Sequence, residues 1–311
     1  MCSPTVLDRV YREIEDGRAR FGRRSFLAAL GVSAAGLGVS AAGLGVSAAG
    51  LGVSAAGLGV SAAGLGAATA AAAPARAGGD TAAARADAVI DLTHTLTPQF
   101  PVWPGNERFA MRPVATFDTG RFAVNAMSLW EHTGTHLDAP AHIVRGGATV
   151  EALPVRDFVA PLAVVDIAGK AAQDDDAVVT VDDVATWERQ HGPIPPAAFV
   201  AMHSGWEARL ADPGRFVNAD ALRIPHAPGF DREAVRMLVH ERNVVGLGVD
   251  TLSLDRSGEV GAHVELLGAG RYGIEAMANL AAVPPRGATV VVGAPKHAGG
   301  TGGPCRVLAL V

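Results

Sequence analysis

His132-Thr133-Gly134-Thr135-His136-Leu137-Asp138-Ala139-Pro140-Ala141-His142 holds three imidazoles and one carboxylate in eleven residues, spaced by four, two and four. Neutral imidazole and ionised carboxylate are ligands for divalent metals such as Zn²⁺ and Mn²⁺. Pro140 would break a helix interior and Gly134 would weaken one, so the run is not a plain helix. The pattern predicts the end of an extended strand followed by a tight loop. In that shape His132, His136 and Asp138 converge on one point, with His142 close by. The bland alternative is a polar loop with scattered histidines. Three of them with an acid in so short a run argue for a metal site instead.

On either side of this run, short apolar stretches alternate with short helical patterns. Residues 89–92 start a strand, 122–130 form an extended run into the His cluster, and 162–167 and 199–203 are strand-like. Residues 181–191 read as a helix with Val184 and Trp187 on one face, and Asp231 can cap a helix in which Val235, Leu238 and Val239 share a face. Residues 244–249, 289–292 and 307–311 have the apolar character of buried strands, and 273–280 reads as a helix. Gly192, Gly229 and Gly246 punctuate these elements. The expected architecture is a single α/β or α+β domain over residues 88–311.

Composition narrows the function classes. The 311 residues are 49% hydrophobic, enough for one sizeable core. The net charge is −5, and the acidic excess lies beyond the arginine-rich first 77 residues. That balance argues against a nucleic-acid partner, which needs a basic face. Cys2 and Cys305 are the two cysteines. Cys2 lies in the expected leader, so no intramolecular disulfide is expected, and Cys305 reads as a small residue opening the last strand. Gly246-Leu247-Gly248 follows a strand but lacks the third glycine of a dinucleotide fingerprint. There is no phosphate loop, no H-E-x-x-H, and no nucleophile elbow around His203-Ser204-Gly205. The chemistry must rest on the His cluster.

The first 77 residues read as an address. Gly22-Arg23-Arg24-Ser25-Phe26-Leu27 is a twin-arginine pattern before a long stretch without charge, and Ala75-Arg76-Ala77 offers a cleavage site. Within the stretch, Leu-Gly-Val-Ser-Ala-Ala-Gly recurs five times over residues 30–64. Two glycines per repeat, at about 0.8–1 kcal/mol each in a helix, argue against a coiled coil. The stretch reads as an expanded signal-peptide core, with an uncleaved membrane anchor as the alternative. Residues 78–87 are a polar lead-in. The expected partner is the twin-arginine export machinery, and the expected location is secreted or periplasmic.

The eleven-residue run resembles the signature H-x-G-T-H-x-D-x-P-x-H of the cyclase family of metal-dependent hydrolases, matched at His132, Gly134, Thr135, His136, Asp138, Pro140 and His142. That family includes kynurenine formamidases and isatin hydrolases. Asp91-Leu92-Thr93-His94 is similar to its opening strand and Pro101-Val102-Trp103-Pro104-Gly105 to its substrate-side loop. The segment from Gly248 to Asp255, then His263 and Glu275, and the glycine-rich loop over 299–304 also fit.

The resemblance implies a swivelling β/β/α fold, a β-rich core flanked by helices, assembled as a homo-oligomer. It implies that His132, His136, Asp138, His263 and Glu275 hold one or two divalent ions, Zn²⁺ or Mn²⁺. His142 is implied to be a general acid/base, although a fourth-ligand role is also open. Trp103 is implied to lie against the substrate ring. Asp250, Thr251 and Asp255 are expected to shape the second half of the pocket. Residues 299–303 are a mobile flap or a turn. His94 reads as structural, and His191, His226, His240 and His297 have no constellation around them. The implied reaction is hydrolysis of a carbon–nitrogen bond in an aryl formamide or cyclic amide small molecule. An exported enzyme meets its substrate outside the cytoplasm, which favours isatin or a related cyclic amide over N-formylkynurenine. The alternatives are a cyclase- or lyase-type enzyme on another carbonyl substrate, or a non-catalytic exported metal- or ligand-binding protein.

Overall fold

The computed structural model describes residues 88–311. The expected signal peptide over 1–77 with its repeat, and the lead-in over 78–87, lie outside the described residues. The strands are β1 (Val89–Asp91), β2 (Ala110–Ala115), β3 (Val124–Ser128), β4 (His136–Asp138), β5 (Val159–Asp166), β6 (Val178–Val179) and β7 (Phe199–His203). They continue as β8 (Gly229–Phe230), β9 (Gly246–Val249), β10 (Tyr272–Glu275), β11 (Ala288–Gly293), β12 (Gly302–Pro304) and β13 (Arg306–Leu310). The helices are α1 (Ala168–Ala171), α2 (Val181–His191), α3 (Pro213–Val217), α4 (Arg232–His240) and α5 (Gly261–Gly268). Residues 115–124 group apart from the main body. Within them the Thr119 backbone N–H returns to the Thr116 carbonyl at 3.1 Å and closes a turn.

Nine strands form one sheet in the order β1-β13-β11-β5-β7-β9-β10-β4-β12. The central β5, β7, β9 and β10 run parallel, and both flanks are antiparallel. Parallel neighbours need long crossovers. The chain supplies α1 and α2 between β5 and β7, α3 and α4 between β7 and β9, and α5 between β9 and β10.

Strict alternation sorts the two faces. Ala163, Val165, Val200 and Met202 point into a core with Val184, Trp187, Val235, Leu238 and Leu266 of the helices. Leu162, Val164, Phe199 and Ala201 point the other way, into a core shared with Leu137 of β4 and Val307 of β13. Five strands separate β4 from β13 in sheet order, so the sheet curls to bring them into one core. Leu92 closes the curl: its N–H donates to the Val307 carbonyl at 2.9 Å and its carbonyl accepts from Ala278 N at 3.0 Å. The result is the expected β-rich core flanked by helices.

The helix starts follow their caps. Thr180 and Asp183 form a reciprocal capping box on α2, and Asp231 accepts from Glu233 N at 2.9 Å at the start of α4. Trp187 on α2 donates its indole N–H to the Val164 carbonyl at 2.9 Å, fixing helix to sheet. Gly248 is a packing glycine: a Cβ there would come within 2.8 Å of the Phe199 ring. That accounts for the glycine pair in β9 without a nucleotide.

Three local expectations are corrected. Glu275 ends strand β10 and does not sit in a helix over 273–280. Parallel pairing with β9 extends residues 272–274, and the left-handed backbone of Ala276 (φ 52°) and Asn279 (φ 56°) interrupts any helix beyond them. The His motif does not end a strand. It begins in a loop, turns at Gly134 (φ 72°), and enters β4 at His136. The glycine-rich loop is more than a turn, because Gly302–Pro304 forms β12 against β4.

Candidate metal centre

Strand β4 delivers the centre of the motif between two antiparallel partners. His136 stands opposite Glu275 on β10 and opposite Pro304 on β12, while Asp138 stands opposite Gly273 and Gly302. Cross-strand neighbours share a face. His136 Nε2 therefore lies 3.4 Å from Glu275 Oε2 and 3.4 Å from Asp138 Oδ1. His263, on α5, brings Nε2 to 3.5 Å from Asp138 Oδ2 and 3.3 Å from Glu275 Oε1. His132, in the loop before β4, places Nδ1 2.6 Å from Asp138 Oδ1. The donors form two overlapping triads, His132–His136–Asp138 and Asp138–His263–Glu275, with the ligand atoms of each within 4.8 Å of one another. Asp138 belongs to both.

Each imidazole is held from its far side. His136 Nδ1 bonds the Gly134 carbonyl at 2.8 Å, His263 Nδ1 bonds Asp255 Oδ2 at 2.5 Å, and His132 Nε2 bonds Thr301 Oγ1 at 3.1 Å. Such outer partners fix ring orientation and tautomer in metal sites. Glu275 is held as well, since its Oε1 accepts from Leu254 N at 2.9 Å.

Asp138 is 1% exposed, and the buried His136 Nε2 and Asp138 Oδ2 have no hydrogen-bond partner. Buried polar atoms without partners are costly. Neutral imidazole and carboxylate converging with lone pairs uncommitted fit a divalent ion. The titration of the centre carries the same imprint. Burial lowers the His136 imidazole, but the Asp138 and then the Glu275 carboxylate outweigh it and hold it up at about 9. Burial likewise opposes charge on His263, and Asp138, Asp255 and Glu275 raise it well above the usual value. Asp138 stays well below the carboxylate range, because His136 and the other imidazoles outweigh its burial. The carboxylates thus draw positive charge into the centre.

A cavity of about 420 Å³ opens over these groups. Pro101, Val102, Trp103, Trp130, Ile143 and Leu252 give it an apolar, aromatic wall, and His132, His136, His142, His263 and Glu275 lie along it. Trp103 is 41% exposed and lines the cavity. His142 ends the 3₁₀ turn Pro140–His142, and its ring centroid lies 3.9 Å from that of His132 and 6.0 Å from that of His263. Burial brings His142 down to about 4 against the pull of Asp138, so it is neutral at physiological pH.

The structure brings five of the six predicted polar residues, with Trp103, onto one cavity, and the sixth, Asp138, lies buried within the donor cluster itself. Other expectations change. Asp250 and Thr251 lie behind the wall and do not line the cavity. Asp250 accepts from Ser204 Oγ at 2.6 Å, and Thr251 donates to the Pro228 carbonyl at 3.0 Å, while Leu252 and Ser253 face the cavity. Asp255 grips His263 from behind. His226 and His297 do have partners, Asp176 and Glu131, each at 2.7 Å. Those partners lie 50 and 166 residues away, beyond the reach of any local pattern. His94 packs on Phe100, with centroids 5.8 Å apart, in keeping with a structural role.

The sequence pattern of the cyclase family matches residues 90–256, more than half of the chain. The chain belongs to the cyclase family. It is 33% identical over 243 residues to an isatin hydrolase of Roseibium aggregatum, covering 72% of this chain and 91% of that protein. It is 27% identical over 192 residues to a kynurenine formamidase of Geobacillus thermodenitrificans, covering 60% and 81%. Among solved structures, isatin hydrolase A from Ralstonia solanacearum aligns with a TM-score of 0.69 at 38% identity, covering 72% of this chain and 92% of that one. The cyclase-family protein described here is a metal-dependent hydrolase acting on a small molecule.

Proposed function

We propose that the protein hydrolyses the carbon–nitrogen bond of a neutral cyclic aryl amide of the isatin kind. Its ligands for Zn²⁺ or Mn²⁺, one ion or two, are His132, His136, Asp138, His263 and Glu275. When bound, the ion supplies Lewis acidity toward a carbonyl oxygen and a water of lowered pKa. The protein's own residues do the rest. Trp103 and Trp130 sandwich or edge a flat ring, which the apolar wall desolvates. His142 is neutral and placed at the mouth of the donor cluster. It takes a proton from the attacking water and returns it to the departing nitrogen. The amide C–N bond breaks, and one molecule leaves with a carboxylate and an aryl amine.

The wall of the cavity carries this choice of substrate. Among the described residues no lysine or arginine lines it, and its charged rim residue, Glu259, is acidic. An amino-acid formamide such as N-formylkynurenine would bring a carboxylate toward a wall with no lysine or arginine to receive it, at a desolvation cost. A neutral ring meets no such cost. Turnover of isatin and N-formylkynurenine by the purified protein, with Mn²⁺ and then Zn²⁺, tests the reading. Isatin is expected to have the higher kcat/KM. A tenfold preference for N-formylkynurenine, about 1.4 kcal/mol of transition-state binding, would reverse it. Bound metal with no turnover of any aryl formamide, isatin or lactam would favour a binding protein.

The Arg23-Arg24 pattern supports export by the twin-arginine route as a folded, metal-loaded protein cleaved near Ala77, and we take the mature form to be a homo-oligomer. Mass spectrometry of the exported protein and light scattering test these points. A cytoplasmic chain that still carries its first 23 residues would overturn export, and a monomer would overturn the assembly.

A further inference from the structure

Glu131 sits immediately before the motif, and Thr301 lies 170 residues away in the glycine-rich loop. The Thr301 hydroxyl donates to Glu131 Oε2 at 2.6 Å, and the Thr301 N–H reaches the same oxygen at 3.2 Å. A hydroxyl has one proton. With that proton committed to the carboxylate, the Thr301 oxygen offers only lone pairs to His132 Nε2, 3.1 Å away. His132 then carries a proton on Nε2, and Nδ1, 2.6 Å from Asp138 Oδ1, is the nitrogen left to meet a metal ion.

The loop is built to press on this ring. A Cβ on Gly302 would lie 2.6 Å from His132 Cε1 and 2.5 Å from the Leu137 carbonyl oxygen, so no side chain fits there. The loop backbone is anchored separately, by Ala139 N to the Thr301 carbonyl and Val150 N to the Gly300 carbonyl, each at 2.9 Å. The Glu131–Thr301 contact is therefore not needed merely to hold the loop.

We infer that Glu131 and Thr301 form a positioning pair that sets the tautomer and aim of His132 and thereby the metal affinity of the centre. Carboxylate, hydroxyl and imidazole act in series, where His263 has Asp255 directly behind it. The inference rests on the metal centre proposed above.

Full-length protein stripped of metal is titrated with Zn²⁺ alone in competition with a chelator. Thr301→Val and Glu131→Ala are each expected to weaken binding about 10–100-fold, the usual effect of losing an outer partner. Thr301→Ser restores the hydroxyl and is expected to bind within about threefold of the parent, well inside that range. Residues acting in one chain are non-additive. The double variant Glu131→Ala/Thr301→Val is therefore expected to lose no more than Thr301→Val alone. Glu151 accepts from Gly299 N at 2.8 Å and so holds the same loop away from His132. Glu151→Gln is expected to leave affinity unchanged. Parent-like affinity in Thr301→Val, additive losses in the double variant, or failure of serine to rescue would each overturn the inference. Should Thr301→Val fail to fold, as read by circular dichroism, Glu131→Ala and Thr301→Ser decide by the same thresholds. Absence of Zn²⁺ binding by the parent protein would instead overturn the metal centre itself.

Discussion

His263 Nδ1 and Asp255 Oδ2 lie 2.5 Å apart, and this bond turns His263 Nε2 toward Asp138 and Glu275. The same carboxylate accepts from Ala262 N at 2.6 Å, so it also starts helix α5. The two duties separate by substitution. Asp255→Asn keeps an acceptor for the helix and loses the charge behind the imidazole, and it is expected to weaken metal binding about 10–100-fold. Asp255→Ala loses the helix start as well, costing about a further 1 kcal/mol of stability. Chelator competition reads the first effect and urea unfolding the second. Equal metal affinity in Asp255→Asn and the parent would remove Asp255 from the centre.

His136→Ala and Asp138→Ala are expected to abolish metal binding, because Asp138 serves both triads and His136 faces both carboxylates. His142→Ala is expected to retain metal and to lose about 10²–10⁴-fold in kcat. Metal content measured beside turnover separates the roles. Loss of metal from His142→Ala as complete as from His136→Ala would make His142 a ligand.

Thr135 is 3% exposed and ties two distant segments. It donates to the Ala276 carbonyl at 2.5 Å and accepts from His94 N at 3.0 Å. Thr135→Val has nearly the same volume and strands both partners, at an expected cost of about 1–3 kcal/mol. The urea midpoint should fall with an unchanged m-value. An unshifted midpoint would mean that neither bond contributes net stability.

The motif's chemistry was legible because its residue types and spacing are local properties. The cap of α4, the strand at 199–203 and the helix over 181–191 with Val184 and Trp187 on one face were legible for the same reason. Glu275 was misread as helical because an isolated stretch does not reveal a parallel neighbour, and β9 determines its geometry. Thr301 gave no signal and Asp255 was read only as a residue shaping the pocket, since a residue that acts through another residue's far nitrogen has no pattern of its own. The resemblance supplied His263 and Glu275, which spacing alone left as an ordinary loop histidine and an ordinary glutamate.

Burial lowers the His94 imidazole, against the pull of Glu207 and Asp91. The unfolded chain takes up this proton near pH 6.5 and the folded chain resists it. The contribution is therefore fully present above pH 6.5 and declines as the pH falls below it. Metal-free protein is expected to lose melting temperature between pH 6.5 and 5, and His94→Gln to lose less over the same interval. Parallel pH profiles for the two proteins would contradict this.

Trp103 reaches the cavity without touching the donor cluster through any hydrogen bond. Trp103→Ala is expected to raise KM for an aryl amide by about tenfold, roughly 1.4 kcal/mol of ring contact, with a smaller change in kcat. A loss confined to kcat would place the indole beside the reacting bond.

Strand β4 has no sheet partner close to it in sequence, because both neighbours lie within residues 272–304. In a chain made from its N-terminus, the histidine motif leaves the ribosome long before the strands that frame it. The full donor set cannot close on one point until residues 263–304 have been made, so capture of an ion by the whole set follows their synthesis. For imidazole–carboxylate sets, metal availability acts beside geometry and ligand type in deciding which divalent ion is taken. The metal pool that counts for this site is therefore the one surrounding the chain when β10 and β12 close over β4.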